Sequence, residues 1–151
     1  MNRIEVVQEL AVAPPQLYSI ISDTDSWGDW FTLHDRFLEQ PPEQLQLNSR
    51  LVQAIRVMGM SHTVELTVTE FRPPIRLTLS GRGTGGMTCD FEFGIERSPA
   101  GTTLSISGVF EGPMLNAQLS RIVEEDGRTQ LTASLDRLST LAAARTPGPG
   151  R

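Results

Sequence analysis

Two histidines, one cysteine and a few acidic and arginine side chains are the residues of this chain that could do chemistry. His62 falls in the apolar phase of a strand close to a turn, where an imidazole could act as general acid–base or orient a bound molecule. The plainer alternative is a structural or solvent-facing histidine. His34 follows a helix that carries both tryptophans and could stand at a pocket mouth, or simply bond the backbone of its own loop. No carboxylate is spaced to set the tautomer of His62. The histidines show neither HxH nor HxxxH spacing, so no metal and no cofactor are expected. Cys89 alternates with Met87 and Phe91 along an apolar strand face. Burial there would raise the thiol pKa and leave it inert, which argues against a catalytic thiolate. As a lone cysteine it also excludes an internal disulfide and a multi-cysteine metal site. Arg56 could pair with a ligand carboxylate or with Asp126 if it points inward. Both phases of residues 50–58 carry apolar side chains, so its direction stays open. These groups make no catalytic set, and binding without chemistry is the expectation.

Composition narrows the classes further. A chain of 151 residues with 38% hydrophobic and 21% charged content fits one globular domain with a real core. The net charge of −5 and the scattered basic residues disfavour nucleic acid, which needs a basic face to displace counterions. All 13 basic residues are arginine. Without lysine there is no Schiff-base chemistry, no pyridoxal phosphate anchored in the usual way and no Walker-type phosphate loop. No apolar run approaches the roughly 18 residues of a membrane span. The N-terminal residues lack the pattern of a secretory signal, so a cytoplasmic location and no membrane insertion are expected.

The elements that must position these residues follow from periodicity. Ile4, Val6, Leu10 and Val12 alternate with Arg3, Glu5 and Glu9 in a first strand over about residues 2–12, with Gln8 in the apolar phase. Pro14-Pro15 ends that strand and suits a helix start, and Leu17, Ile20 and Ile21 give a short helical face. Asp23 to Ser26 supplies capping chemistry for a second short helix with Trp27 and Trp30 on one face. From residue 49 to 112 the period is two, broken by Pro73-Pro74, by Gly83-Thr84-Gly85-Gly86 and by Pro99-Ala100-Gly101. Strands joined by such short turns pair as an antiparallel meander. The glycine-rich Gly81–Gly86 stretch leads into a strand, which makes it a hairpin connection and excludes a dinucleotide loop. Leu115, Leu119, Ile122, Leu131, Leu135, Leu138 and Leu141 predict one long helix over about 113–143, in phase across Gly127. The remaining tail, 144–151, is expected to be disordered.

This order of elements resembles the START-domain and polyketide cyclase superfamily (SRPBCC, helix-grip fold). The matching residues are Ala13-Pro14-Pro15-Gln16-Leu17-Tyr18, Asp23 and Trp27-Gly28-Asp29-Trp30. Three stretches, Gly59–Glu65, Thr69–Pro74 and Leu79–Gly83, are similar to an actinobacterial subgroup of polyketide cyclase/dehydrase and lipid-transport proteins. Some members of that subgroup are described as toxins of toxin–antitoxin pairs. The resemblance implies an α+β fold. A curved antiparallel sheet of six to seven strands would wrap a long C-terminal helix, with two short helices after strand one, over residues 1–143.

It further implies a space between sheet and helix that holds a small hydrophobic ligand, such as a lipid or a polyketide-like compound. By phase that space is lined by Leu66, Leu79, Met87, Cys89, Phe91 and Phe110, facing Leu119 and Ile122. Trp30, His34, Arg56, His62 and Asp126 stand at its edges. Methionine and phenylalanine suit adaptable apolar pockets, although the same residues could pack as a solid core. Two alternatives stay open: a polyketide aromatase/cyclase using His62, Arg56 or His34, and a toxin with an antitoxin protein partner.

Overall fold

A computed structural model describes residues 2–113 and 115–145. They form a seven-stranded sheet in the order β1-β7-β6-β5-β4-β3-β2, antiparallel throughout. The strands are β1 (Asn2–Leu10), β2 (His34–Phe37), β3 (Arg50–Val57), β4 (Met60–Arg72), β5 (Arg76–Gly83), β6 (Thr88–Ser98) and β7 (Gly101–Glu111). Strands β3 to β7 are the expected meander, and β1 closes it by pairing with β7. The short β2, paired with β3, lies in a stretch whose sequence shows no clear period.

Helices α1 (Pro14–Ser22) and α2 (Trp27–Trp30) follow β1, separated by a 3-10 turn over Thr24–Ser26. Asp23 caps that turn by accepting a hydrogen bond from the Asp25 N–H. Trp27 and Trp30 are fully buried. Each indole N–H is satisfied, by the Ile21 carbonyl at 2.8 Å and the Ser26 hydroxyl at 2.9 Å. Their rings pack edge-on with Phe31 and Phe93 beneath them. The tryptophans therefore anchor the short helices to the sheet.

The long helix α3 runs Ala117–Arg145. It starts later than the apolar spacing suggests because Asn116 is its cap, accepting the Leu119 N–H at 2.9 Å. It also continues through residues 144 and 145, while 146–151 of the expected tail lie outside the described residues. No helix among the described residues is long and apolar enough to cross a membrane. Helix α3 packs chiefly on β1 and α2, and Thr32 ties the α2–β2 corner to the Gln130 carbonyl and the Ser134 hydroxyl.

The buried stripe of α3 is Val123, Gly127, Leu131, Ser134, Leu135, Leu138 and Ala142. This corrects the expectation for Ile122, which is 45% exposed. At 3.6 residues per turn, nine residues separate Ile122 from Leu131 by about half a revolution, so the two cannot share a face. The stripe passes through Gly127. A side chain there would sit 2.3 Å from Ile4 Cδ1, so the missing Cβ admits the end of Ile4 from β1.

Candidate functional site

The inner face of β2, β3 and β4 carries a polar set inside an apolar interior. Leu51, Gln53, Ile55 and Val57 are the buried inward phase of β3, and Arg50 and Arg56 are exposed on the other. Across the sheet, Ile55 pairs with His34 on one side and His62 on the other. Gln53 pairs with Phe37 and Val64. His34, Gln53 and His62 thus share the face that looks towards the core.

His34 Nδ1 lies 2.5 Å from Gln53 Oε1, with its ring against Phe37 and Trp27. Burial lowers the His34 pKa, against the opposing pull of the Gln53 hydrogen bond and the Asp35 charge. The ring is therefore neutral at physiological pH, with Nδ1–H donating to Gln53 and Nε2 left as an acceptor. Gln53 has no exposed surface, and its Nε2 is a buried donor without a partner among the described residues. Turning the amide over would exchange the two ends and put Oε1 in the unpartnered position, so one polar atom stays unsatisfied either way. His62 Nε2 is buried and unpartnered in the same sense. Each such atom costs about 1–3 kcal/mol when left without a partner, and the described residues supply none.

The β3–β4 turn beside this set is built from Met58 and Gly59, both at positive φ (55° and 75°), as a two-residue hairpin loop demands. Gly59 adopts that region freely, but Met58 does so at a cost. The Met58 N–H donates to Asp126 Oδ2 of α3 at 3.0 Å. Asp126 therefore holds the hairpin tip to the helix. It does not pair with Arg56, which points outward and meets Asp35 at 3.5 Å; Ser61 bonds the same carboxylate.

Of the remaining expected lining residues, Leu66, Leu79, Cys89, Phe91, Phe110 and Trp30 face inward but are 0–1% exposed. A side chain on a water-sized hollow would keep accessible surface there, so this part of the interior is filled. Burial pushes the Cys89 thiol up to about 12, as expected for an inert cysteine. Towards the start of α3, Met58, Met87, Leu115 and Leu119 are half-buried. The clefts on the outside include one of about 490 Å³ and another of about 390 Å³. One lies between Asp29 and the last turns of α3, the other between Tyr18, Phe71 and Pro73-Pro74.

Gln53 was not singled out by the sequence because both phases of its strand are apolar. The signal was nonetheless present: Arg50 and Arg56 share the opposite parity and mark it as the solvent face.

A family described as polyketide cyclase/dehydrase and lipid transport matches residues 1–143, and the chain belongs to it. The protein named Toxin Rv0910 from Mycobacterium tuberculosis (strain ATCC 25618 / H37Rv) is 24% identical over 135 residues, which is 89% of this chain and 94% of that one. Among solved structures, TTHA0849 from Thermus thermophilus superposes with a TM-score of 0.78 at 11% identity, covering 96% of this chain and 99% of the other. CV1439 from Chromobacterium violaceum gives 0.73 at 16% identity, covering 94% and 98%. At these identities the structural likeness establishes the fold, a curved antiparallel sheet with a long C-terminal helix and short helices after strand one.

Proposed function

We propose that this member of the polyketide cyclase/dehydrase and lipid-transport family binds a small hydrophobic molecule between the sheet and α3, without chemistry of its own. The observation that carries the reading is the pair of unsatisfied buried atoms, Gln53 Nε2 and His62 Nε2, on the inner sheet face. Native proteins rarely leave such atoms unpaired in an apolar core, and a bound molecule with a polar end would complete them. The half-buried methionines near the start of α3 support an entry route there, because an unbranched thioether side chain repacks easily. Apolar burial at about 25 cal/mol per Å² supplies the affinity and the polar atoms fix the orientation.

The test is a titration of methyl- and ring-labelled protein with fatty acids and aromatic polyketides. Saturable shifts at Met58, Met87 and Leu119 are the expected result; resonances that stay fixed at all ligand concentrations sink the reading.

A second reading, a toxin with an antitoxin protein partner, is favoured by the likeness to the protein named Toxin Rv0910. Induced expression should then arrest growth, and co-expression of a protein encoded beside the gene should relieve it. Unaffected growth removes this reading.

A further inference from the structure

We infer that Gln53 and His62 form a seat for an acceptor oxygen, so that the bound molecule is an apolar body ending in a ketone or a carboxylate. The inference rests on the interior-binding reading above and names its ligand class. Gln53 stands opposite Val64, and His62 lies two residues from Val64 on the same face of β4. Diagonal neighbours of this kind are roughly 7–8 Å apart at the backbone, within reach of two long side chains that share one group between them. Gln53 Oε1 is taken by His34 Nδ1, which turns the free Nε2 donor towards the interior. His62 Nε2, when it carries the proton, is a second donor to the same space. Two donors without an acceptor select a carbonyl or carboxylate oxygen over a plain hydrocarbon, because a hydrocarbon would leave both unsatisfied. Arg56, the arginine nearest to it along β3, is on the outer face with Asp35, and the chain has no lysine. The seat therefore recognises an oxygen through hydrogen bonds and not through a buried salt bridge. His34 serves as a positioning residue, fixing the amide so that Nε2 is the free end.

Three probes sharing one ring system test this: 2-acetylnaphthalene, 2-naphthoate and 2-ethylnaphthalene, each titrated against the full chain, Gln53→Leu and His62→Leu. Wild type should bind the ketone or the carboxylate at least roughly tenfold tighter than the hydrocarbon, the worth of one satisfied donor. The tighter of the two identifies the head group. Gln53→Leu should bring that ratio close to one. In wild type, the Gln53 side-chain amide resonances should move with the ketone or carboxylate and stay put with 2-ethylnaphthalene. Equal binding of all three probes, or a preference that survives in both variants, overturns the seat while leaving interior binding intact. Fixed amide resonances do the same and do not depend on how the variants fold. Failure of every probe, the hydrocarbon included, overturns both readings together.

Discussion

The Asp126 carboxylate on α3 accepts a 3.0 Å hydrogen bond from the main-chain N–H of Met58 at the tip of the β3–β4 hairpin. It joins the long helix to a hairpin tip that holds a non-glycine residue in the left-handed region beside the inward polar set. Because Met58 pays for that conformation, the bond to a charged acceptor restrains a tip that would otherwise relax.

Asp126→Ala should therefore cost about 1–2 kcal/mol of stability, the low end for a hydrogen bond to a partly solvated charge. Asp126→Asn, which keeps an acceptor, should cost less. Hydrogen exchange at the Met58 amide is the direct readout, accelerating in the alanine variant. Unchanged exchange there would show that the carboxylate restrains nothing.

Gly127→Ala gains helix propensity but meets Ile4 Cδ1, which a Cβ would approach to 2.3 Å. Since Ile4 has no exposed surface, overpacking should dominate and destabilise by about 1–3 kcal/mol. Adding Ile4→Val removes the clashing methyl, so the double variant should recover most of the loss. Chemical denaturation of the two single variants and the double variant measures this coupling; simple additivity would contradict the close approach.

His34 gives a signed acid dependence. Its folded pKa lies below the ordinary value because burial disfavours the cation. The stability it contributes is thus complete above about pH 6.5 and is lost as pH falls through the folded pKa, where the unfolded chain binds the proton first. His34→Phe should flatten the fall of the denaturation midpoint below about pH 6.5 relative to wild type. An identical slope in both proteins would remove His34 from the acid limb.

Cys89 gives the opposite limb. Its thiol is raised to about 12, chiefly by burial. Its contribution is complete below the unfolded pKa near 9 and is lost as pH rises towards 12, by at most about 1.4 kcal/mol per pH unit. Cys89→Ala should reduce that alkaline slope. In the native wild type the thiol should resist iodoacetamide at about pH 8 and react on unfolding; rapid native alkylation would contradict its burial.

The strands, short helices and long helix were legible because proline, glycine and period-two runs punctuate them. Met87, Cys89, Phe91 and Phe110 likewise fall on the inward side by alternation alone. The first half of α3 was not legible, because the apolar spacing of Leu115, Leu119 and Ile122 mimics a continuous stripe. The true stripe there passes through Val123 and a glycine, whose buried face is filled by Ile4 from a strand more than a hundred residues earlier. Gln53 escaped for a related reason: its importance lies in what it leaves unpaired, and hydrogen-bond accounting across three strands is a property of register. His62 and His34 could be named as candidates, but their common face needed the pairing through Ile55.

An apolar molecule that binds in the interior should enter between the sheet and the start of α3. A doxyl-labelled fatty acid added to methyl-labelled protein tests it most directly, because the spin label broadens nearby methyl resonances. Broadening strongest at Met58, Met87, Leu119 and Val123, and weak at the outer-face Val7 and Ile75, is the predicted result. Broadening confined to Val7 and Ile75, with the four interior-side methyls untouched, would contradict it.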